Sequence, residues 1–261
     1  MHLEKAYQEH NVFQQLSGYA DFYKSLSFSV LGFITPGIKA FPNVDSYVYS
    51  SIQGTIESMR HVLVNGRIGD AYTLLRKYYD SAIINVYLNL YIKENFNLDT
   101  FIVKQIDDWV QGKERLPEYR VISSYIRKSK HLTKINALLL TDATYKDIRN
   151  RCNDHTHYNF YHNVIVNDNE VYLKGRLGSL DRFSKDMENV FILHFAYLFQ
   201  INGHYMTASD YLDSLECGLT PEEGSQYLVA PFIQEVFNSI VKKNRADIAK
   251  ELMDTTCMKL E

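Results

Sequence analysis

An all-α fold is predicted for this chain: a helical bundle with one short β-hairpin insertion and a C-terminal helical extension. Three observations predict it. Apolar residues recur every three or four positions through most of the chain, the spacing that gathers them on one face of a helix. Helix breakers are scarce, 12 Gly and 5 Pro in 261 residues, which leaves room for short connections only. One stretch, residues 163–174, departs from the helical period. A chain of this length buries about 70–75% of the surface its unfolded form exposes, so neither a disulfide nor a structural metal is needed to hold it.

Taken in order, residues 3–31 read as helical with a break at Gly18, and Thr35-Pro36-Gly37 ends them. Phe41-Pro42-Asn43 opens the next helix, in which Val44, Val48, Ile52, Ile56, Met59 and Leu63 keep helical spacing. Asn65-Gly66 supplies its C-terminal stop. Residues 67–94 carry the clearest stripe, through Ile68, Ala71, Leu75, Tyr79, Ala82, Val86 and Leu90. At about 1.5 Å per residue that helix is about 40 Å long, enough for the spine of a bundle. The short turn before it makes it antiparallel to its predecessor.

Shorter helices are expected over 98–110, 117–128 and 132–140, with Pro117 at a first helical position and 113–115 as a solvated link. Asp142 is the candidate N-cap of the next helix. Within 163–174, Val164-Ile165-Val166 and Val171-Tyr172-Leu173 flank Asn167-Asp168-Asn169-Glu170 and read as a hairpin. A lone hairpin is marginal, so it must lie on the helices or pair with a partner chain. Residues 179–201 return to helix through Leu180, Phe183, Met187, Val190, His194, Leu198 and Ile201. Helices over 209–216, 231–243 and 246–253 complete the chain. Residues 1–205 read as one helical domain and 206–261 as its extension.

The formal net charge of −3 excludes a uniformly basic nucleic-acid coat but not a local basic site. The 20 tyrosines suit helix interfaces and half-wet grooves, because each ring buries area while keeping a polar tip. Cys152, Cys217 and Cys257 are far apart, with no CxxC pair, and read as reduced, buried thiols of a cytoplasmic protein. The polar start, Met1-His2-Leu3-Glu4-Lys5, lacks the apolar core of a signal peptide. The longest apolar runs, 82–92 and 190–201, fall short of the about 20 residues a membrane span needs, and Asn85, Asn89 and His194 interrupt them. No membrane association is expected. Gly66-Arg67-Ile68-Gly69 is a helix boundary and not a phosphate loop, since no GKS or GKT follows, and neither a serine elbow nor HExxH occurs.

Polar chemistry crowds into one span: Arg149, Asn150, Arg151, Asn153, Asp154, His155, His157, Asn159 and His162. Taken as one helix over 142–162, Tyr145, Ile148, Cys152 and His155 share a face that Asn159 and His162 continue. A histidine on such a stripe also serves as a hydrogen-bonded core residue. Arg149 and His155 lie about 120° apart on a straight helix. They meet at one spot only if the helix bends or ends between them, or if two copies face each other across a dimer. A shared metal is disfavoured: His155 and His162 stand about 10 Å apart along the helix, His155 and His157 converge only on a strand, and Cys152 with His155 lacks further ligands. Neither metal nor cofactor is expected. Arg76 and Asp80, four residues apart, form a helix-surface ion pair worth a few tenths of a kcal/mol, or line a groove beside the histidine helix.

An arginine, a polar residue and a histidine after four to six intervening residues, on a late helix of an all-helical domain, resembles the signature of the HEPN superfamily. Arg149-Asn150 with His155 matches it, with five residues between arginine and histidine. Arg151 and His157 repeat the spacing, with Cys152 a poorer match to the polar position. Residues 71–80, with Leu74-Leu75-Arg76 and Asp80 four on, are similar to the second-helix pattern of uncharacterised bacterial HEPN-like families. The resemblance covers residues 45–160, so the hairpin and the tail beyond Tyr205 fall outside it.

It implies a metal-independent endoribonuclease acting as a homodimer, two copies of the motif forming one cleft. His155 would accept the 2′-hydroxyl proton of RNA, Arg149 would hold the phosphate, and Asn150 would orient either group. Arg151, Arg76, Asp80 and His157 would support substrate binding, and the product would carry a 2′,3′-cyclic phosphate. A role in bacterial defence or as a toxin, with an antitoxin or operon partner, goes with that reading. The alternative is a non-catalytic helical module that binds a partner protein, nucleotide or RNA, a role many HEPN-like domains have. The net charge and the 120° misalignment motivate it.

Overall fold

A computed structural model describes residues 3–39, 43–168, 170 and 175–261. The fold is all-α. Its helices are α1 (Lys5–Gln8), α2 (Val12–Ser29), α3 (Val44–Val64), α4 (Ile68–Asn95), α5 (Lys104–Val110), α6 (Tyr119–Lys128), α7 (Thr133–Leu139), α8 (Thr144–Thr156), α9 (Tyr161–Val166), α10 (Arg176–Ile201), α11 (Ser209–Glu216), α12 (Pro231–Val236) and α13 (Ala246–Thr255). Among the described residues, β pairing is confined to an isolated antiparallel bridge between Thr207 and Val229. No helix among them is long and apolar enough to cross a membrane.

The expected hairpin is not seen. Its first arm, Val164 to Val166, is the end of α9, and its second arm, Val171 to Leu173, lies outside the described residues. Three β-branched residues are too few to separate a strand from a helical turn. Tertiary burial decides instead: Asn163 and Val166, three apart, are buried while Val164 is exposed, which is a helical spacing.

Two further boundaries moved for local reasons. Helix α2 runs unbroken through Gly18, whose missing Cβ faces open space. The interruption falls at 9–11, where His10 Nδ1 accepts a hydrogen bond from Val12 N at 3.1 Å. The helix expected from residue 98 begins only at Lys104 because Asn97 Oδ1 accepts from both Asp99 N and Thr100 N, a side-chain turn that competes with the first helical bonds. The Asn65-Gly66 stop is as expected. Gly66 takes φ 77°, its N–H donates to Leu63 O, and Arg67 N donates to Val62 O, the paired bonds of a left-handed helix terminus.

The chain divides into two compact units. The first contains residues 1–24, 48–82 and 142–191; the second contains 25–47, 83–141 and 192–261. Leu16, Tyr19, Ile56, Met59, Leu75, Tyr78, Ile148, Phe183 and Met187 are among the buried side chains of the first unit. Its tyrosines bury their rings and pair their tips: the Tyr23 and Tyr78 hydroxyls lie 2.8 Å apart, and Tyr7 OH donates to Leu63 O at 2.7 Å.

The second unit holds a buried polar chain. The Asp45 carboxylate accepts from Asn85 Nδ2 at 2.6 Å, Asn89 Nδ2 at 2.8 Å and Tyr205 OH at 2.8 Å. His194 Nε2 lies 3.0 Å from Asn85 Oδ1. Burial pushes the Asp45 carboxyl above its ordinary range, against the pull of its three donors. In this unit α12 continues from Phe237 to Lys242 as a wider π-helical segment, so the stretch expected as one helix over 231–243 changes winding midway.

Candidate functional site

Helix α8 is oriented by its apolar stripe. Tyr145, Ile148 and Cys152 are buried, which turns the residues on either side of the stripe towards different neighbours. Arg149, one position after Ile148, reaches α4, where it ion-pairs with Asp80. Arg151, one position before Cys152, reaches α10, where Nε and a terminal nitrogen donate to the two Asp186 oxygens at 2.8 and 2.7 Å. The two arginines thus fasten α8 to two different helices.

The α4 side is a clamp. Arg76 Nε donates to Asp80 Oδ2 at 2.8 Å, and Arg76 also donates to Asn153 Oδ1. Thr73 and Thr156 hydroxyls lie 3.3 Å apart, and Tyr72 stacks on His155. Residue numbers rise on one helix as they fall on the other, so α4 and α8 pack antiparallel. Arg76 and Asp80 therefore join two helices, beyond the expected pair on one helix surface.

On the α10 side Asp186 is only 3% exposed and also accepts from Tyr72 OH at 3.2 Å. Its hydrogen bond to Arg151 leads the causes that raise that guanidinium further above its ordinary value. Of the three thiols expected to be buried, Cys217 and Cys257 are exposed and Cys152 is buried; burial pushes the Cys152 thiol up to about 12, which makes it an inert core group at neutral pH.

His155 has a different environment. Its ring lies flat on Tyr72, centroids 4.3 Å apart and planes 3° from parallel. Nδ1 is buried and has no hydrogen-bond partner among the described residues. Burial lowers its pKa from 6.5 to about 4, opposed by Asp154 and reinforced by His162 and Arg151. The imidazole is therefore neutral at pH 7.

Helix α8 continues through both Arg149 and His155, so at helical spacing the 120° separation stands within one chain. It ends just beyond, and not at residue 162 as expected. Tyr158 takes φ 50°, its N–H lies 3.4 Å from His155 O, and Asn159 N donates to Asp154 O at 3.0 Å. This is the paired-bond terminus that glycine usually closes, formed here by a tyrosine at a cost of about 1 kcal/mol. Tyr158 OH in turn accepts from Asn167 Nδ2 at 3.4 Å. The reversal brings α9 back over the end of α8.

A crevice of about 190 Å³ results, lined by Tyr72, Arg151, Asp154, His155, His162 and Arg182, with Phe160, Asn163, Val166 and Ser179 completing the wall. Of the residues singled out from the sequence as site candidates, His155 and Arg151 meet in this crevice. Arg149, Arg76 and Asp80 cluster at the α4 clamp, Asn150 is exposed on α8, and His157 is exposed at the helix end. Arg182, Asp186, Tyr72 and Phe160 were not legible as site residues. The first two lie on α10, some thirty residues from the motif, and no local spacing links them to it. Among the described residues no group of three or more His, Cys, Asp or Glu side chains could hold a metal ion.

Comparison of the chain with protein-family models, with curated proteins and with solved structures gives no match.

Proposed function

We propose that this protein is a HEPN-like, metal-independent endoribonuclease whose proton acceptor is His155. The observation that carries the reading is the state of that imidazole: neutral at pH 7, with one unpartnered nitrogen, in a crevice shared with two arginines and a second histidine. A neutral imidazole can take the proton of a 2′-hydroxyl, and a guanidinium can stabilise charge growing on the phosphate oxygens. The depressed pKa makes a weak base of the free enzyme. A phosphate in the crevice adds negative charge beside the ring and raises that pKa towards the working range.

In this reading the protein works as a homodimer. Arg149 and Asn150 act on the phosphodiester held at His155 of the facing copy, since they cannot converge on the His155 of their own chain. The reading extends to a toxin-like or defence role with an operon partner.

A second reading is favoured by the same ion pair. Arg149 engaged by Asp80 and Arg151 by Asp186 describe arginines that hold helices together, as a non-catalytic RNA- or partner-binding module would use them. Purified protein incubated with mixed RNA in EDTA separates the two. Cleavage leaving 2′,3′-cyclic phosphate ends, reduced at least about 100-fold in His155→Ala, is expected of the nuclease. No cleavage, or equal cleavage by the variant, leaves the binding module.

A further inference from the structure

The cation nearest in function to His155 is not the motif arginine. At the crevice, Arg151 is committed to Asp186. Arg182, from α10, lines the same crevice, is exposed, and makes no ion pair or hydrogen bond among the described residues. It also lines the wider adjoining depression of about 650 Å³, where Asp147, Asp181 and Asp186 offset Arg151, Arg182 and Lys185. Among the described residues the His155 crevice has one carboxylate in its wall, Asp154, which accepts from Asn159 Nδ2 at 2.8 Å.

Volume decides what fits. At about 190 Å³ the crevice is smaller than the roughly 300 Å³ at which pockets begin to enclose whole small molecules. It has room for a phosphate and part of a sugar, and a base must stay outside. The rim offers a place for one. Phe160 is 61% exposed and Tyr161 77% exposed, on the segment that reverses after α8. Every nucleobase has a π-face, so an exposed ring beside a phosphate pocket is a stacking platform without sequence preference.

We infer that the crevice is a nucleotide subsite for a single-stranded chain: Arg182 and His162 hold a phosphate beside His155, and Phe160 carries the adjoining base outside. The inference builds on the RNA reading of the same crevice. It assigns the phosphate contact within one chain to α10 and the base contact to the turn before α9.

Binding tests it separately from cleavage. A His155→Ala background prevents turnover, and a fluorescent single-stranded oligoribonucleotide is titrated in EDTA at several salt concentrations, beside its own duplex. The single strand is expected to bind at least about 10-fold more tightly than the duplex. Arg182→Gln should weaken it and reduce the slope of log affinity against log salt by about 0.7, the share of one phosphate contact on a single strand. Phe160→Ala should weaken binding about 5- to 100-fold and leave the slope unchanged. Lys24→Gln, an exposed change on α2, should do neither.

Equal affinity for duplex, or parental binding by both variants, overturns the inference. So does a Phe160→Ala protein that keeps its RNA affinity but sediments as a smaller species, because the aromatic rim then belongs to a second copy. If the parent chain binds as expected yet never cleaves, the nuclease reading fails and the subsite stands. If it cleaves while Arg182 and Phe160 prove silent, the reverse holds.

Discussion

His155 in the first unit and His194 in the second are both kept neutral by burial, with pKa values lowered to about 4 and about 3. Their surroundings differ in kind. His194 is completely buried and bonds to Asn85, which bonds to Asp45, which takes two more donors. Among the described residues His155 stacks on a tyrosine, leaves Nδ1 without a hydrogen-bond partner, and lines a crevice with the exposed Arg182. A depressed pKa is common to both and so does not mark a site. An unsatisfied nitrogen costs roughly 1–3 kcal/mol, and a fold retains that cost most readily where a ligand uses the group.

The largest effects should come from removing each histidine. His194→Ala empties a fully buried position and removes the contact of Asn85 Oδ1, with an expected loss of about 3 kcal/mol in a denaturant titration. His155→Ala forfeits a stacked pair worth roughly 0.5–1.5 kcal/mol but relieves the orphaned nitrogen, so its stability should stay within about 1 kcal/mol of the parent. Comparable losses from both would erase the contrast. Acid should sharpen it. A histidine neutral in the fold contributes fully above pH 6.5, and its contribution is lost as pH falls towards about 3, because the unfolded chain takes up the proton first. The slope of stability against pH below 6.5 should therefore be shallower in His194→Ala than in the parent.

A smaller effect separates the two ties of α8. Asp186→Asn weakens a bidentate pair whose acid has a side chain 5% exposed, and its expected cost is about 2 kcal/mol, below the 3–5 kcal/mol of a fully buried pair because Arg151 can turn to water. Asp80→Asn acts on a carboxylate that is 32% exposed, and about 1 kcal/mol or less is expected. Thermal melts of the two variants measure the order, and the reverse order would mean that the α4 clamp is the principal anchor of α8.

Legibility in the sequence followed the length of each signal. The stripe over 67–94 gave α4 to within one residue at each end, and Asn65-Gly66 marked its turn, because seven apolar positions and a left-handed glycine leave few alternatives. Three β-branched residues at 164–166 could not carry a strand assignment. The end of α8 was hidden because Tyr158, not glycine, adopts the left-handed conformation there, and tyrosine has no such signature. The motif histidine was readable from its neighbours in sequence. Its real companions, Tyr72 and Arg182, come from α4 and α10 and become neighbours only through packing.

In the nuclease reading His155 is open to phosphate while His194 is closed to it. Imidazole resonances of the ¹⁵N-labelled protein, followed from pH 7.5 to pH 4 with and without a single-stranded oligoribonucleotide bearing non-reactive 2′-deoxy sugars at the scissile step, report on both at once. The expected result is a His155 signal that titrates near 4 alone, moves on adding the oligonucleotide and then titrates higher, while the His194 signal does not respond. A His155 that titrates near 6.5, or that ignores the oligonucleotide as His194 does, would contradict it.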